Sequence, residues 1–164
     1  YAGIVIDTNN FTNQTGVRTF EAAAFLRRNG ADVTRVRKLF RDDMQDYKAR
    51  AAAISSAEIY REAFSIGVCP SEGLPSPTIV CAQAANELLE IKGIKASVVM
   101  TEYHGLIYLS ARSIDEVNVQ IIMERLGGGG HMNIAGAQLE DVSAAQAAEI
   151  IKETINTMLQ EGAI

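Results

Sequence analysis

With only two cysteines and two histidines in 164 residues, the sequence excludes several chemistries at once. Cys69 and Cys81 lie twelve residues apart, with no Cys-x-x-Cys pair and no histidine beside them, so the spacing supports neither a structural zinc site nor a dithiol redox motif. They read as ordinary buried thiols. No apolar run reaches the ~20 residues a membrane-spanning helix requires, and no charged-then-apolar secretory segment opens the chain. The expected location is therefore cytoplasmic. Proline is confined to one loop, Cys69 to Pro77, which holds all three prolines of the chain. Basic charge is scarce in the C-terminal part. Residues 62–164 hold five Lys/Arg against thirteen Asp/Glu, whereas residues 1–61 hold ten against seven, and the net charge is −5. A protein that tracks a long polyanion needs a basic groove, because phosphate neutralisation supplies most of its affinity. Long nucleic acid is thus a poor partner, but a grip on one or two phosphates by backbone N–H groups and a single arginine is compatible with an acidic surface.

Four consecutive glycines and a histidine, Gly127-Gly128-Gly129-Gly130-His131, stand out against this background, with Ala135-Gly136 just behind them. Asp115 to Leu126 reads as a helix with Val117, Ile121 and either Ile122 or Leu126 on one face, so the glycines begin where a helix stops. One glycine is enough to terminate a helix. Four plus an imidazole exceed that need, and a run without Cβ atoms can turn several backbone N–H groups toward one anion. Both readings stand on residue type alone, the phosphate loop being the fuller account of the composition.

Elsewhere the periodicity is that of a single α/β chain. Ile4-Val5-Ile6, bounded by Gly3 and Asp7, suits a buried parallel strand. Thr15 can cap a helix running to Asn29 and stopping at Gly30, with Val17, Phe20, Ala24 and Leu26 inward. A second helical stretch opens at Thr34, is interrupted at Asp42 and Asp43, and resumes from Met44 to Ser56 with Tyr47 and Ile54 on its apolar side. Tyr60 to Val68 alternates like a strand, with Phe64, Ile66 and Val68 facing the core. Thr78 caps a helix to about Ile91, and Lys95–Thr101 and Leu106–Ala111 form two strands turning through His104-Gly105. A strand at Ala135–Glu140 and a helix from Ser143 to Gln160 close the chain. The fold class expected is α/β, a mixed sheet with flanking helices.

The glycine-histidine run with its small-residue pair resembles the C-terminal associated domain of the Asp-His-His (DHH) phosphoesterase superfamily. Gly3 to Phe11, with Thr15-Gly16-Val17-Arg18-Thr19-Phe20-Glu21-Ala22-Ala23, resembles the end of the catalytic DHH domain, in wording similar to the bacterial cyclic di-AMP phosphodiesterases of the GdpP type. The resemblance implies residues 1–30 as the remnant of a DHH domain and residues 34–164 as the associated substrate-binding domain. It implies a parent hydrolase, opening cyclic di-AMP to linear pApA, that can be membrane-anchored with this part facing the cytoplasm, and a homodimer is compatible with it. Tyr1 is not an initiator methionine, which fits a piece of a longer protein whose upstream DHH domain is the partner of these residues. The rivals are an oligoribonuclease or 3′,5′-bisphosphoadenosine phosphatase of the same superfamily, and a non-catalytic RNA-binding module. The small-residue pair is Ala-Ala in many relatives and Ala135-Gly136 here.

Each candidate residue carries a plain alternative. Asp7 is either a turn aspartate or a cation ligand; the resemblance implies the second, as one ligand of a paired manganese site whose other ligands are absent here. Arg18 is a surface charge or a phosphate contact. Arg112 is a surface ion-pair partner by residue type, and the resemblance implies that Ser110, Arg112, Asn118, Gly128, Gly129, Gly130 and His131 line the pocket for phosphates and one base, with Arg112 as a planar donor fork. His131 can be structural, a phosphate donor or a stacking surface, and a substrate contact suits it better than general acid. His104 is an exposed turn residue.

Overall fold

The structure, a computed structural model, describes residues 1–12 and 15–164. It divides into two compact units, Tyr1–Asp42 and Asp43–Ile164. Thr15, expected as a helix cap, is followed by Gly16, which takes the capping position itself.

The first unit is helical. The apolar triplet Ile4-Val5-Ile6 is not a strand: it lies in helix α1 (Ala2–Asp7), because a three-residue apolar run carries no period that separates the two states. Asp7 therefore ends a helix and not a strand. Three non-glycine residues in left-handed conformation follow, Asn9, Asn10 and Phe11, with φ of 44°, 61° and 65°. The Thr8 hydroxyl organises them, donating to the Ile4 carbonyl (2.6 Å) and accepting from the Phe11 N–H (2.9 Å). Helices α2 (Val17–Arg28) and α3 (Val33–Leu39) complete the unit, α2 stopping before Gly30 at φ 97°. Little is buried here. Ala23 faces inward, whereas Val17 and Phe20, expected inside, are 75% and 53% exposed; Phe20 instead stacks on Phe11, ring centroids 5.5 Å apart.

The second unit is a mixed six-stranded sheet between helices. Its order in the chain is α4 (Met44–Ser55), β1 (Glu58–Tyr60), β2 (Phe64–Val68), α5 (Pro77–Leu88), β3 (Ala96–Tyr103), β4 (Leu106–Ser113), α6 (Val119–Arg125), β5 (Gly129–His131), β6 (Ile134–Leu139) and α7 (Ala144–Gln160). In space the strands run β1-β2-β3-β4-β6-β5. Only β2 and β3 are parallel, joined through α5. The expected strand over residues 60–68 is a hairpin, turned at Arg61 and Glu62 in left-handed conformation. Val68 is half exposed, not core. Ser76, not Thr78, precedes α5, with Pro77 in the first turn, where its missing N–H costs nothing.

Strand alternation sorts the sheet into two faces. Ala96, Val98, Met100, Ile107, Leu109, Ala111, Ala135 and Ala137 pack with Val119, Ile122 and Met123 of α6 and with Ala147, Ile151, Ile155 and Met158 of α7. That face holds the main core. On the other, Val99 packs against Val80, Cys81, Ala84, Ala85 and Leu88 of α5, which α4 backs through Ala49 and Ala53. Tyr47, expected on the apolar side of α4, is exposed. Since α5 lies over β2, β3 and β4, the β6 and β5 end of that face stays open. Among the described residues no helix is long and apolar enough to cross a membrane.

Candidate functional site

The open end of the sheet gathers the polar candidates in rows set by register. Arg112 of β4 lies opposite Ile134 of β6, which lies opposite His131 of β5. The neighbouring row on the same face is Ser110, Gly136 and Gly129. Two of its three members have no side chain, so a bare trough of backbone crosses the sheet beside Arg112. A shallow groove of about 480 Å³, lined by Tyr108, Gly127, Gly128, Gly136 and Gln138 among others, continues from it.

Arg112 is the anomaly of this face. It is partly buried, its Nη1 donates to the Ala111 carbonyl (2.8 Å), and its Nε is buried with no partner. Burial lowers its pKa from the ordinary guanidinium range, with the Cys81 side chain opposing the shift slightly, but a guanidinium stays charged at any physiological pH. No ion pair to a carboxylate is made by Arg112 among the described residues. A buried N–H left without an acceptor costs about 1–3 kcal/mol. An anion in the trough would supply that acceptor.

Neighbouring groups define what the site can do. Ser110 hydrogen-bonds the Cys81 side chain, whose thiol donates to the Val99 carbonyl (3.1 Å). Burial pushes the Cys81 thiol up to about 12 and that of Cys69 up to about 11. Both stay protonated and inert at neutral pH. His131 stands exposed at the sheet edge. Among the described residues no cluster of three His, Cys, Asp or Glu could hold a metal ion. Such an arrangement can hold an anion.

The glycine run divides its labour differently from the expected loop. Gly127, at φ 77°, donates to the Glu124 carbonyl (3.1 Å), and Gly128 to that of Met123 (2.8 Å); these two bonds form a Schellman stop for α6. The N–H of Gly128 is thereby committed to the helix. Gly129, Gly130 and His131 run on as an extended edge strand, β5, paired with β6. A Cβ at Gly128 would lie 2.1 Å from the Gly136 carbonyl oxygen, and one at Gly130 2.4 Å from that of Ile134, but at Gly129 it would meet open space. So Gly128 and Gly130 serve hairpin closure, and Gly129 faces the trough.

The remaining candidates lie elsewhere. Asn118 is not within the helix, as expected, but precedes it: its Oδ1 accepts from the Gln120 N–H (3.0 Å), capping α6, the helix on the opposite face. The helix expected from Asp115 begins only at Val119, and Val117 is buried just ahead of it. Asp7 and Arg18 belong to the first unit, both exposed, at the end of α1 and the second position of α2. His104 is an exposed turn residue at φ 51°, as expected. Sequence reading missed Gln138 and Tyr108, which the register places opposite each other on the site's face; the alternation of β6 was the available signal.

Comparison with known proteins identifies the family. The sequence is 43% identical over 98% of the chain to the cyclic-di-AMP phosphodiesterase GdpP of Geobacillus thermodenitrificans, covering 24% of that protein. It is 44% identical over 89% of the chain to the cyclic-di-AMP phosphodiesterase PdeA of Listeria monocytogenes, covering 22% of it. The chain thus spans about a quarter of the length of the curated relatives it matches. In fold it is similar to an exopolyphosphatase-related protein from Bacteroides fragilis, with a TM-score of 0.83 at 18% identity, over 94% of this chain and 48% of that one. A family profile described as the DHHA1 domain matches residues 76–161, the stretch that runs from the start of α5 through the arginine, the glycines and α7, and the chain belongs to that family, the associated domain of the DHH phosphoesterases.

Proposed function

We propose that this chain is the substrate-binding part of a phosphodiesterase that hydrolyses cyclic di-AMP to linear pApA. The observation that carries the reading is Arg112: a buried, unpartnered guanidinium N–H beside a side-chain-free trough. The names of the relatives at 43% and 44% identity supply the substrate class. Ser110 and Arg112 hold a phosphate over the Gly136–Gly129 floor, and His131 contacts the nucleotide from the sheet edge. Asp7 contributes one carboxylate to a manganese site whose other ligands come from outside these residues. Among the described residues no group of donors suffices for that site, so no catalytic step is assigned to this chain. The strained Asn9-Asn10-Phe11 turn directly behind Asp7 supports a functional role for that segment, since left-handed non-glycine backbone persists where the surroundings impose it.

The test is calorimetric titration of pApA into the full-length protein and its Arg112→Ala variant, with cyclic di-AMP hydrolysis followed by chromatography. Loss of a charge-assisted phosphate contact should weaken binding by about 1.5–3 kcal/mol. Undiminished affinity in a folded variant would remove Arg112, and with it this reading of the trough.

A further inference from the structure

One register step along the sheet from the Ser110–Gly136 row, the same face carries Tyr108 directly opposite Gln138. Same-face rows on a strand lie about 7 Å apart, which is the reach from a nucleotide's phosphate to its own base. Tyr108 is half-buried, its ring held against Tyr103 at 6.1 Å between centroids. The side-chain amide of Gln138 is exposed and has no hydrogen-bond partner among the described residues. Both line the groove, with Glu140 on its rim. Gly127, Gly128 and Gly136, which carry no side chains, line the groove beside them. A flat floor, an aromatic wall and a free amide describe a slot for a planar heterocycle.

We propose that Tyr108 and Gln138 form the base-reading subsite of this face, with Tyr108 stacking on the base and Gln138 selecting adenine over guanine; the proposal rests on the phosphate-binding reading above. A carboxamide offers one donor and one acceptor side by side, the complement of adenine's N7 and N6 amino group. Guanine presents two acceptors on that edge, N7 and O6, so one of the two amide bonds is lost whichever way the amide is turned. Glu140 can only accept, which favours an amino group at the rim and opposes a carbonyl oxygen there. Stacking on tyrosine tolerates either base. Selectivity therefore falls on Gln138.

The experiment titrates pApA and pGpG into the full-length protein. Wild type should prefer the adenine dinucleotide, and Gln138→Leu should cut the preference by about ten- to a hundredfold. Gln138→Met, unbranched like the native side chain, gives the same readout. Tyr108→Leu should weaken both dinucleotides, and Arg112→Ala should weaken both without changing their ratio. An unchanged ratio in a Gln138→Leu protein that melts with wild type overturns the subsite alone, leaving the phosphate reading in place. Failure of wild type to bind either dinucleotide overturns both.

Discussion

Gly128 and Gly129 are adjacent and identical, yet the structure asks opposite things of them. The first sits where a Cβ would lie 2.1 Å from a backbone oxygen, the second where a Cβ meets nothing within 4 Å. Gly128→Ala must therefore push the β5–β6 hairpin apart, and forced overpacking of this kind costs about 1–3 kcal/mol. Gly129→Ala should fold at least as well as wild type, because alanine in an extended strand loses less entropy than glycine. Its methyl group would stand in the trough and weaken pApA binding. Melting curves and titration of the two variants separate these effects. Equal melting of Gly128→Ala and wild type would contradict the tight closure, and full affinity in Gly129→Ala would take the glycine row out of the site. The composition of the run made its importance legible. Its division between a helix stop and a strand was not, because a glycine tetrad carries no side-chain period from which the change of element could be read.

Elements with a clear period were legible, and those defined by their ends were not. The helix of residues 144–160 places Ala147, Ile151, Ile155 and Met158 on one stripe, with Ser143 and Gln146 closing a capping box ahead of it. Its start and stop agree with the sequence pattern. The turn between β1 and β2 uses Arg61 and Glu62 in left-handed conformation, without the Asn-Gly or Gly that usually announces such a hairpin, so the alternation predicts one long strand where there are two. Asn118 shows the same difficulty. The family resemblance implies a ligand contact for it, while its Oδ1 bond to the Gln120 N–H makes it a helix cap. Asn118→Ala should cost about 1 kcal/mol of stability, and Asn118→Ser, which can cap equally well, should restore it. Chemical denaturation measures the first effect. A serine variant with native stability but lost pApA affinity would show a substrate contact beyond the cap.

At the scale of the molecule, the proposed phosphate site and the proposed metal ligand lie on different stretches of chain. The second unit holds the trough, the unpartnered arginine and the groove, but its thiols are protonated and its one site histidine stands at the sheet edge. The first unit holds Asp7, ahead of a left-handed turn, and little buried core. Two cations in a phosphodiesterase site need several carboxylates and imidazoles in fixed geometry, and no such cluster forms among the described residues. Residues 1–164 alone should therefore leave cyclic di-AMP intact even with manganese in excess, as chromatography of the reaction would show. In the full-length protein Asp7→Asn, similar in size but uncharged, should lower bound manganese and turnover together. Its affinity for pApA should stay near wild type, because the proposed phosphate contacts are those of Ser110 and Arg112. Substantial turnover by residues 1–164 would move the catalytic centre into this chain. Native metal content and rate in Asp7→Asn would leave that carboxylate as the end of a short helix and nothing more.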